Sequence, residues 1–269
     1  MQLVHISDLH FGREQPVVLR ALLQTLQQLQ PNVVVISGDL TQRAKTSEYR
    51  AARAFLQALS MPYLIIPGNH DMAAWRVWER FCYPWRKWRH YVNANLQPVV
   101  SGADFVAVGV NTARRMQAAW DWSRGCINAT QVAETCESFA EATGDTLRLV
   151  VAHHPFWLPL DSLHRGVIGG GQAALNAFQQ SSVDIILGGH VHQAYMQVVQ
   201  GMIISHAGTT FSRRLLPGQP NSFNVIRGDR ARLTLQRWAW QGQCFVGVDE
   251  QHFQREVQGW VADDVGFAG

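Results

Sequence analysis

Apolar, β-rich runs in this chain keep ending in carboxylate, amide and imidazole side chains. Leu3 to Ile6 runs into Asp8-Leu9-His10, and Val33 to Ile36 into Gly38-Asp39. Tyr63 to Ile66 leads to Gly68-Asn69-His70-Asp71, Leu147 to Val151 to His153-His154-Pro155, and Val183 to Leu187 to Gly188-Gly189-His190-Val191-His192. Polar groups recurring where strands should end suit a pair of metal ions better than any other common site.

The stretches between these runs set the fold class. Pro16 is placed as an early helix residue, and Val17, Leu19, Leu22, Leu23, Leu26 and Leu29 then form an amphipathic face. Thr46 or Ser47 is positioned to cap a second helix through about Leu59. Val33-Val34-Val35-Ile36 reads as a strand buried on both faces. Strand–helix–strand–helix–strand order implies right-handed crossovers and neighbouring parallel strands.

Further along, Val99-Val100 and Phe105 to Val110 flank a hairpin turn, Thr130 to Ala142 reads as a helix, and Ala173 to Gln180 as a shorter one. Tyr195 to Val199, Met202 to Ser205, Ser222 to Ile226, Ala231 to Leu235 and Cys244 to Val246 read as a β-meander. With no linker or low-complexity tract, the expectation is an α/β chain forming one domain over residues 1–269. Its two sheets pack face to face with helices outside, and an aromatic-rich cap segment covers about 72–95.

Composition narrows the function classes. Hydrophobic residues make up 47% and charged residues 16%, a globular balance, and the formal net charge of +3 is too small to announce a nucleic-acid partner. Cys82, Cys126, Cys136 and Cys244 form no CxxC pair and no zinc-finger spacing, as expected of unpaired thiols in a reducing compartment. The start at Met1-Gln2-Leu3-Val4 has no secretory pattern, and no apolar run is long enough to span a bilayer, so a cytoplasmic location is expected.

Asp8 and His10, two residues apart in an extended segment, would project to one side and reach one cation. Asp39 could bridge two cations with its two oxygens, and Gly38 before it leaves room. Asn69 offers a neutral amide oxygen. His190 and His192 repeat the alternate spacing, while the adjacent His153 and His154 point in opposite directions, so that one could bind metal and the other line the pocket or pack. An oxygen and nitrogen set without thiolate suits manganese, iron, cobalt, nickel or zinc. Two such ions about 3.5–4 Å apart would clamp a phosphoryl oxygen and activate a bridging water as the nucleophile.

Taken together, Asp8-x-His10, Gly38-Asp39, Gly68-Asn69-His70-Asp71, His153 and Gly189-His190-x-His192 resemble the calcineurin-like metallophosphoesterase superfamily. The resemblance spans Asp8 to His192 in the expected order and implies a four-layer αββα sandwich with two divalent metal ions. It implies that Asp8, His10 and His192 hold one metal, that Asn69, His153 and His190 hold the other, and that Asp39 bridges them. His153 is selected over His154 because Pro155 follows it by two. His70 corresponds to the non-ligand histidine that contacts phosphate and protonates the leaving oxygen, with Asp71 orienting it or capping the next helix.

Within that superfamily the chain is similar to bacterial class III cyclic nucleotide phosphodiesterases and glycerophosphodiesterases. The partner implied is a small phosphodiester and not a nucleic-acid polymer; peripheral membrane contact and a homodimer are left open. Trp75, Trp78, Phe81, Tyr83, Trp85, Trp88 and Tyr91, interleaved with arginines, form either an amphipathic cap helix that buries its rings or a substrate wall. The second role would fit a lipid-linked pyrophosphate hydrolase similar to the enzyme that cleaves UDP-diacylglucosamine. A third reading is a non-catalytic interaction module on the same fold. His206 is a candidate supporting residue, His5 a hydrogen-bonded core residue, and Asn111 to Arg115 a loop at the pocket rim.

Overall fold

The computed structural model describes residues 1–73, 77–115 and 124–263. Trp75 and Arg76 of the aromatic stretch, and the end of the 1–269 range, lie outside the described residues. The chain runs β1 (Gln2–Ile6), α1 (Pro16–Leu29), β2 (Val33–Ile36), α2 (Thr46–Ala58), β3 (Tyr63–Ile65), α3 (Val77–Cys82) and α4 (Arg86–Tyr91). It continues with β4 (Val99–Ser101), β5 (Phe105–Val110), α5 (Ala129–Glu137), β6 (Leu147–Ala152), α6 (Gly171–Gln180), β7 (Ile185–Gly188), β8 (Tyr195–Val199) and β9 (Met202–His206). The last strands are β10 (Ser222–Gly228), β11 (Arg232–Trp240), β12 (Phe245–Glu256) and β13 (Gly259–Ala262).

These strands form two mixed sheets, ordered β13-β12-β11-β10-β1-β2-β3 and β4-β5-β6-β7-β9-β8. Alternation along each strand divides the apolar residues into layers. Val4, Ile6, Val34 and Ile36 pack with Leu22 and Leu26 of α1 and Phe55 and Leu56 of α2. Leu3, Val33, Val35 and Leu64 turn the other way and meet Leu149, Val151, Ile185 and Leu187 of the second sheet. Val150, Ile186 and Ile204 face outward again, onto Leu175 and Phe178 of α6. Helices, sheet, sheet, helices: the four-layer sandwich follows from which side of each strand is apolar.

Several local expectations change. Lys45, not Thr46 or Ser47, occupies the position before α2. Glu48 satisfies the helix start instead, its Oε2 accepting from the backbone N–H of Arg43 (2.8 Å) and Lys45 (3.2 Å). The helix expected to reach Ala142 ends at Glu137 and continues as turns. The expected β-meander divides between the sheets: β8 and β9 belong to the second, with β9 parallel to β7, while β10 to β13 return to the first. Strand periodicity reports which residues alternate, not which sheet receives them. β13 carries too little apolar sequence to stand out before its pairing with β12 is seen.

Candidate metal centre

Parallel pairing brings the polar blocks together. β1, β2 and β3 are mutually parallel, as are β5, β6, β7 and β9, so their C-terminal ends lie along one edge of each sheet. Backbone hydrogen bonds lace the ends: Asp8 N–H to Gly38 O (3.2 Å), His10 N–H to Asp39 O (2.9 Å), Gly189 N–H to His153 O (3.0 Å) and Thr210 N–H to Ser7 O (3.1 Å). The loops entering the site are therefore held by main chain before any side chain contributes.

Around Asp39 the candidate ligands form two sets. His10 Nε2 lies 3.7 Å from both Asp8 Oδ1 and Asp39 Oδ2, and His192 Nε2 lies 3.6 Å from Asp8 Oδ1. On the other side, His153 Nε2 lies 3.3 Å from Asp39 Oδ1 and 3.2 Å from Asn69 Oδ1, and His190 Nδ1 lies 3.1 Å from that same amide oxygen. Each oxygen of Asp39 thus faces a different histidine. Of the two neighbours, His153 brings its Nε2 to Asp39 and Asn69, while a ring nitrogen of His154 also lies within 4.8 Å of ring nitrogens of His153 and His190. His154 turns its Nδ1 to Thr112 Oγ1 (2.7 Å), with its ring 4.8 Å from that of His190.

The donor chemistry fits a pair of cations. A backbone carbonyl only accepts, so His153 Nδ1 donates to Ser37 O (2.8 Å) and its Nε2 bears the lone pair in the neutral ring. By the same logic His192 Nδ1 donates to Arg214 O (2.8 Å), leaving Nε2 as the lone pair facing Asp8. Asp8 Oδ1 is buried with no hydrogen-bond donor among the described residues. Lone pairs crowded on one point repel and leave carboxylate oxygen unsatisfied, which a divalent ion reverses.

Backbone geometry accounts for the projection, and it differs from the extended segments expected. Asp8 (φ 53°), His10 (φ 44°), Asp39 (φ 50°), His190 (φ 74°) and His192 (φ 61°) all sit in the left-handed region. Such conformations cost about 1–3 kcal/mol each in non-glycine residues and mark functional sites when they cluster. Leu9 and Val191, between the paired ligands, point into the protein instead and are buried. Gly38 (φ +102°) is required for a second reason: a Cβ there would lie 2.6 Å from His153 Nδ1. It clears space for the imidazole rather than for an ion.

Charge follows burial. Removal from water holds His10 and His190 well below the ordinary imidazole value, with the His153 charge adding to the effect at His190, so both rings are neutral and able to coordinate. Burial also opposes charge on His153, but the adjacent Asp39 carboxylate outweighs it and raises His153 to about 9. Against the upward push of burial, His153 in turn holds Asp39 well below the carboxylate range. With no cation to share, Asp39 and His153 therefore favour the charged pair over the neutral one.

His70 and Asp71 are placed differently from one another. His70 Nδ1 donates to Gln42 O (2.8 Å), which aims Nε2 at the cluster, its ring 5.0 Å from that of His10. Asp71 does not orient that ring. Its carboxylate accepts from Leu40 N (3.1 Å), Thr41 N (2.8 Å), Thr41 Oγ1 (2.9 Å) and Gly68 N (2.9 Å), tying the Asp39 loop to the Asn69 loop. His206 Nδ1 donates to Gly189 O (2.9 Å) beneath the His190 turn, and His5 meets Ser37 Oγ (2.8 Å) in the core. Arg214 was not anticipated: its Nη1 lies 2.9 Å from His70 Nε2 and 3.5 Å from His10 Nε2. The only sequence pointer to it is that β9 ends on the same edge as the other site strands.

Among its described residues the aromatic segment forms two short helices, separated by a turn at Pro84, rather than one amphipathic helix. Trp88 is fully buried and Tyr91 stacks on Tyr49, but Trp78 is 83% and Tyr83 66% exposed. These two line a groove of about 540 Å³ with Glu79, Cys82 and Arg86. The segment is tied to Arg115 by Arg80 Nε to Arg115 O (3.1 Å) and Arg115 Nη1 to Phe81 O (3.1 Å). No helix among the described residues is long and apolar enough to cross a membrane.

Known proteins resemble this chain in sequence and in fold. Over 83 residues the chain is 41% identical to glycerophosphodiester phosphodiesterase GpdQ of Enterobacter lignolyticus, covering 26% of this chain and 30% of that one. A protein of Synechococcus sp. named "Probable cyclic nucleotide phosphodiesterase" is 24% identical over 73% of this chain and 75% of its own length. UDP-2,3-diacylglucosamine pyrophosphatase LpxG of Chlamydia muridarum is 32% identical over 28% of this chain and 24% of its own. Matches to the GpdQ and LpxG proteins thus span less than a third of their lengths. The fold of a dimetal phosphatase from Danio rerio superposes with a TM-score of 0.64 at 13% identity, covering 94% of this chain and 98% of that one. The family model described as calcineurin-like phosphoesterase matches residues 1–194, a span that holds every strand-end block from Asp8 to His192. This chain belongs to the calcineurin-like phosphoesterase family.

Proposed function

We propose that this protein is a dinuclear metal-dependent phosphodiesterase acting on a small phosphodiester, of the cyclic nucleotide or glycerophosphodiester kind. The observation that carries this reading is the division of donors about Asp39, with His10 at one of its oxygens and His153 at the other. Asp8, His10 and His192 would hold one cation, Asn69, His153 and His190 the second, and Asp39 both. Manganese, iron, zinc and cobalt all suit this set. When bound, two such ions supply Lewis acidity to a phosphoryl oxygen and lower the pKa of water.

The chain's own residues do the rest. Ser37 O and Arg214 O fix the ring orientations of His153 and His192. Asp71 holds two ligand loops in register. His70, fixed by Gln42 O, presents an unprotonated Nε2 to the site; once Arg214 has moved from it, that nitrogen can take up a proton from water and pass it to the leaving oxygen.

Manganese-loaded protein is expected to cleave a generic aryl phosphodiester, and assays across cyclic nucleotides and glycerophosphodiesters then define the natural class. Asp39→Asn should lower kcat/KM beyond the about 10–100-fold that loss of an outer partner costs. Full activity in that variant contradicts the metal assignment. Wild type that binds two manganese ions yet hydrolyses no phosphoester supports a non-catalytic module instead.

A lipid-linked pyrophosphate is the second reading. The exposed Trp78 and Tyr83, beside Arg86 in one groove, offer apolar surface for acyl chains, and LpxG is among the chain's relatives. Turnover of UDP-diacylglucosamine in preference to simple diesters would select it.

A further inference from the structure

We propose that Arg214 grips a non-bridging oxygen of the bound phosphodiester, and that His70 holds its guanidinium ready beside the metal-binding cluster. This inference rests on the phosphodiesterase reading above and adds a substrate-contacting residue to it.

The main chain of Arg214 is anchored to the site. Its carbonyl accepts from His192 Nδ1 (2.8 Å) and Thr209 Oγ1 (2.9 Å), and its N–H donates to Ser212 Oγ (3.3 Å). Ser212 is buried, and its own carbonyl accepts from Asn221 Nδ2 (2.9 Å). A side chain leaving from so constrained a backbone has a defined reach. That reach is fixed relative to His192, one of the candidate ligands.

The guanidinium then faces the wrong partners for a resting cation. Every nitrogen of arginine is a donor and the group stays charged, so His70 Nε2 must accept from Nη1. That assigns the His70 proton to Nδ1, in agreement with its bond to Gln42 O. Its second neighbour, His10 Nε2 at 3.5 Å, is another imidazole nitrogen. Among the described residues no carboxylate forms an ion pair with Arg214, and its Nε and Nη2 make no hydrogen bond. Other arginines in this chain do find anions: Arg230 and Arg255 share the buried Asp184, and Arg237 pairs with Asp249.

A half-buried cation held between two imidazoles, with two nitrogens left over, is complementary to a tetrahedral oxyanion. Two metal ions can engage only some of the phosphoryl oxygens, and a planar fork on the His70 side supplies donors to another. When the guanidinium shifts to the phosphoryl group it uncovers His70 Nε2. Substrate binding and exposure of that nitrogen are then one event. If Arg214 served only to brace His70, anion affinity would not depend on it.

Calorimetric titration of inorganic phosphate into manganese-loaded protein separates the two roles. Arg214→Gln should still bind two manganese ions and melt like wild type, yet hold phosphate at least about tenfold more weakly. Arg214→Met, which keeps the alkyl stem without the charge, should match it, and Arg214→Lys should recover part of the affinity. With a diester substrate the loss should fall on both KM and kcat. Phosphate affinity within twofold of wild type in a folded, fully metallated Gln or Met variant overturns the proposal and leaves the phosphodiesterase reading intact. Wild type that neither takes up manganese nor cleaves any phosphoester overturns that reading itself.

Discussion

The carboxylate of Asp71 accepts two hydrogen bonds from Thr41, one from its backbone N–H at 2.8 Å and one from its hydroxyl at 2.9 Å. Through this pair the loop carrying Asp39 is fastened to the loop carrying Asn69 and His70. Tyr49 of α2 anchors the same turn by donating to Asp71 O (2.6 Å). The acid beside His70 is thus a clasp between the loops that carry Asp39 and Asn69.

Asp71→Asn should therefore act first on stability. An amide retains one acceptor oxygen and presents an NH₂ toward donors. Loss of buried hydrogen bonds to a charged group costs about 1.5–3 kcal/mol each at the upper end of mutational experience. Chemical denaturation at pH 7 should show a loss of at least about 2 kcal/mol. A catalytic defect with unchanged stability would return Asp71 to a direct role at His70.

Metal uptake should release a proton. His153 is raised to about 9 by Asp39 despite its burial, so below that pH the ring is charged and its Nε2 must lose a proton before it can coordinate. Affinity for the cation on that side should rise with pH up to about 9, by close to tenfold per unit, and level off above. Titration of metal-free protein in weak buffer at pH 7.5 should release about one proton from this site, against about a tenth for an ordinary histidine. Absence of proton release would mean the Asp39–His153 pair is not charged in the free protein.

Trp78→Ala discriminates the substrate readings. Trp78 lies 83% exposed in the groove with Tyr83 and Arg86, so its removal should leave the fold and the hydrolysis of simple diesters within about twofold of wild type. A selective loss on acylated substrates identifies the groove as an acyl-chain site. Equal behaviour on both substrate types removes the lipid-linked reading's support.

Much of this was legible in the sequence, for physical reasons. Val33 to Ile36 announces a strand buried on both faces because both faces are apolar, and Pro16 marks the start of α1. The ligand types at the strand ends stand out because carboxylate, amide and imidazole groups are seldom grouped without cause. Illegible were features set by tertiary partners. Asp71 looks the same in sequence whether it faces His70 or Thr41. Trp88 and Trp78 are chemically identical, yet one is buried and the other 83% exposed, a difference set by what each helix packs against. Arg214 sits in the loop between β9 and β10, and the hydrogen bonds that hold its main chain at His192 and Thr209 are tertiary contacts with no signature in the sequence. Left-handed backbone at Asp8 and His10 is only weakly marked by residue identity, and the two side chains still approach to 3.7 Å.

Crystals of the protein grown with manganese, measured at the manganese absorption edge, test the central claim most directly. Two anomalous peaks should flank the Asp39 carboxylate, about 3.5–4 Å apart, one beside Asp8, His10 and His192 and the other beside Asn69, His153 and His190. A map with no peak at Asp39, or with a single ion held away from it, would contradict the account.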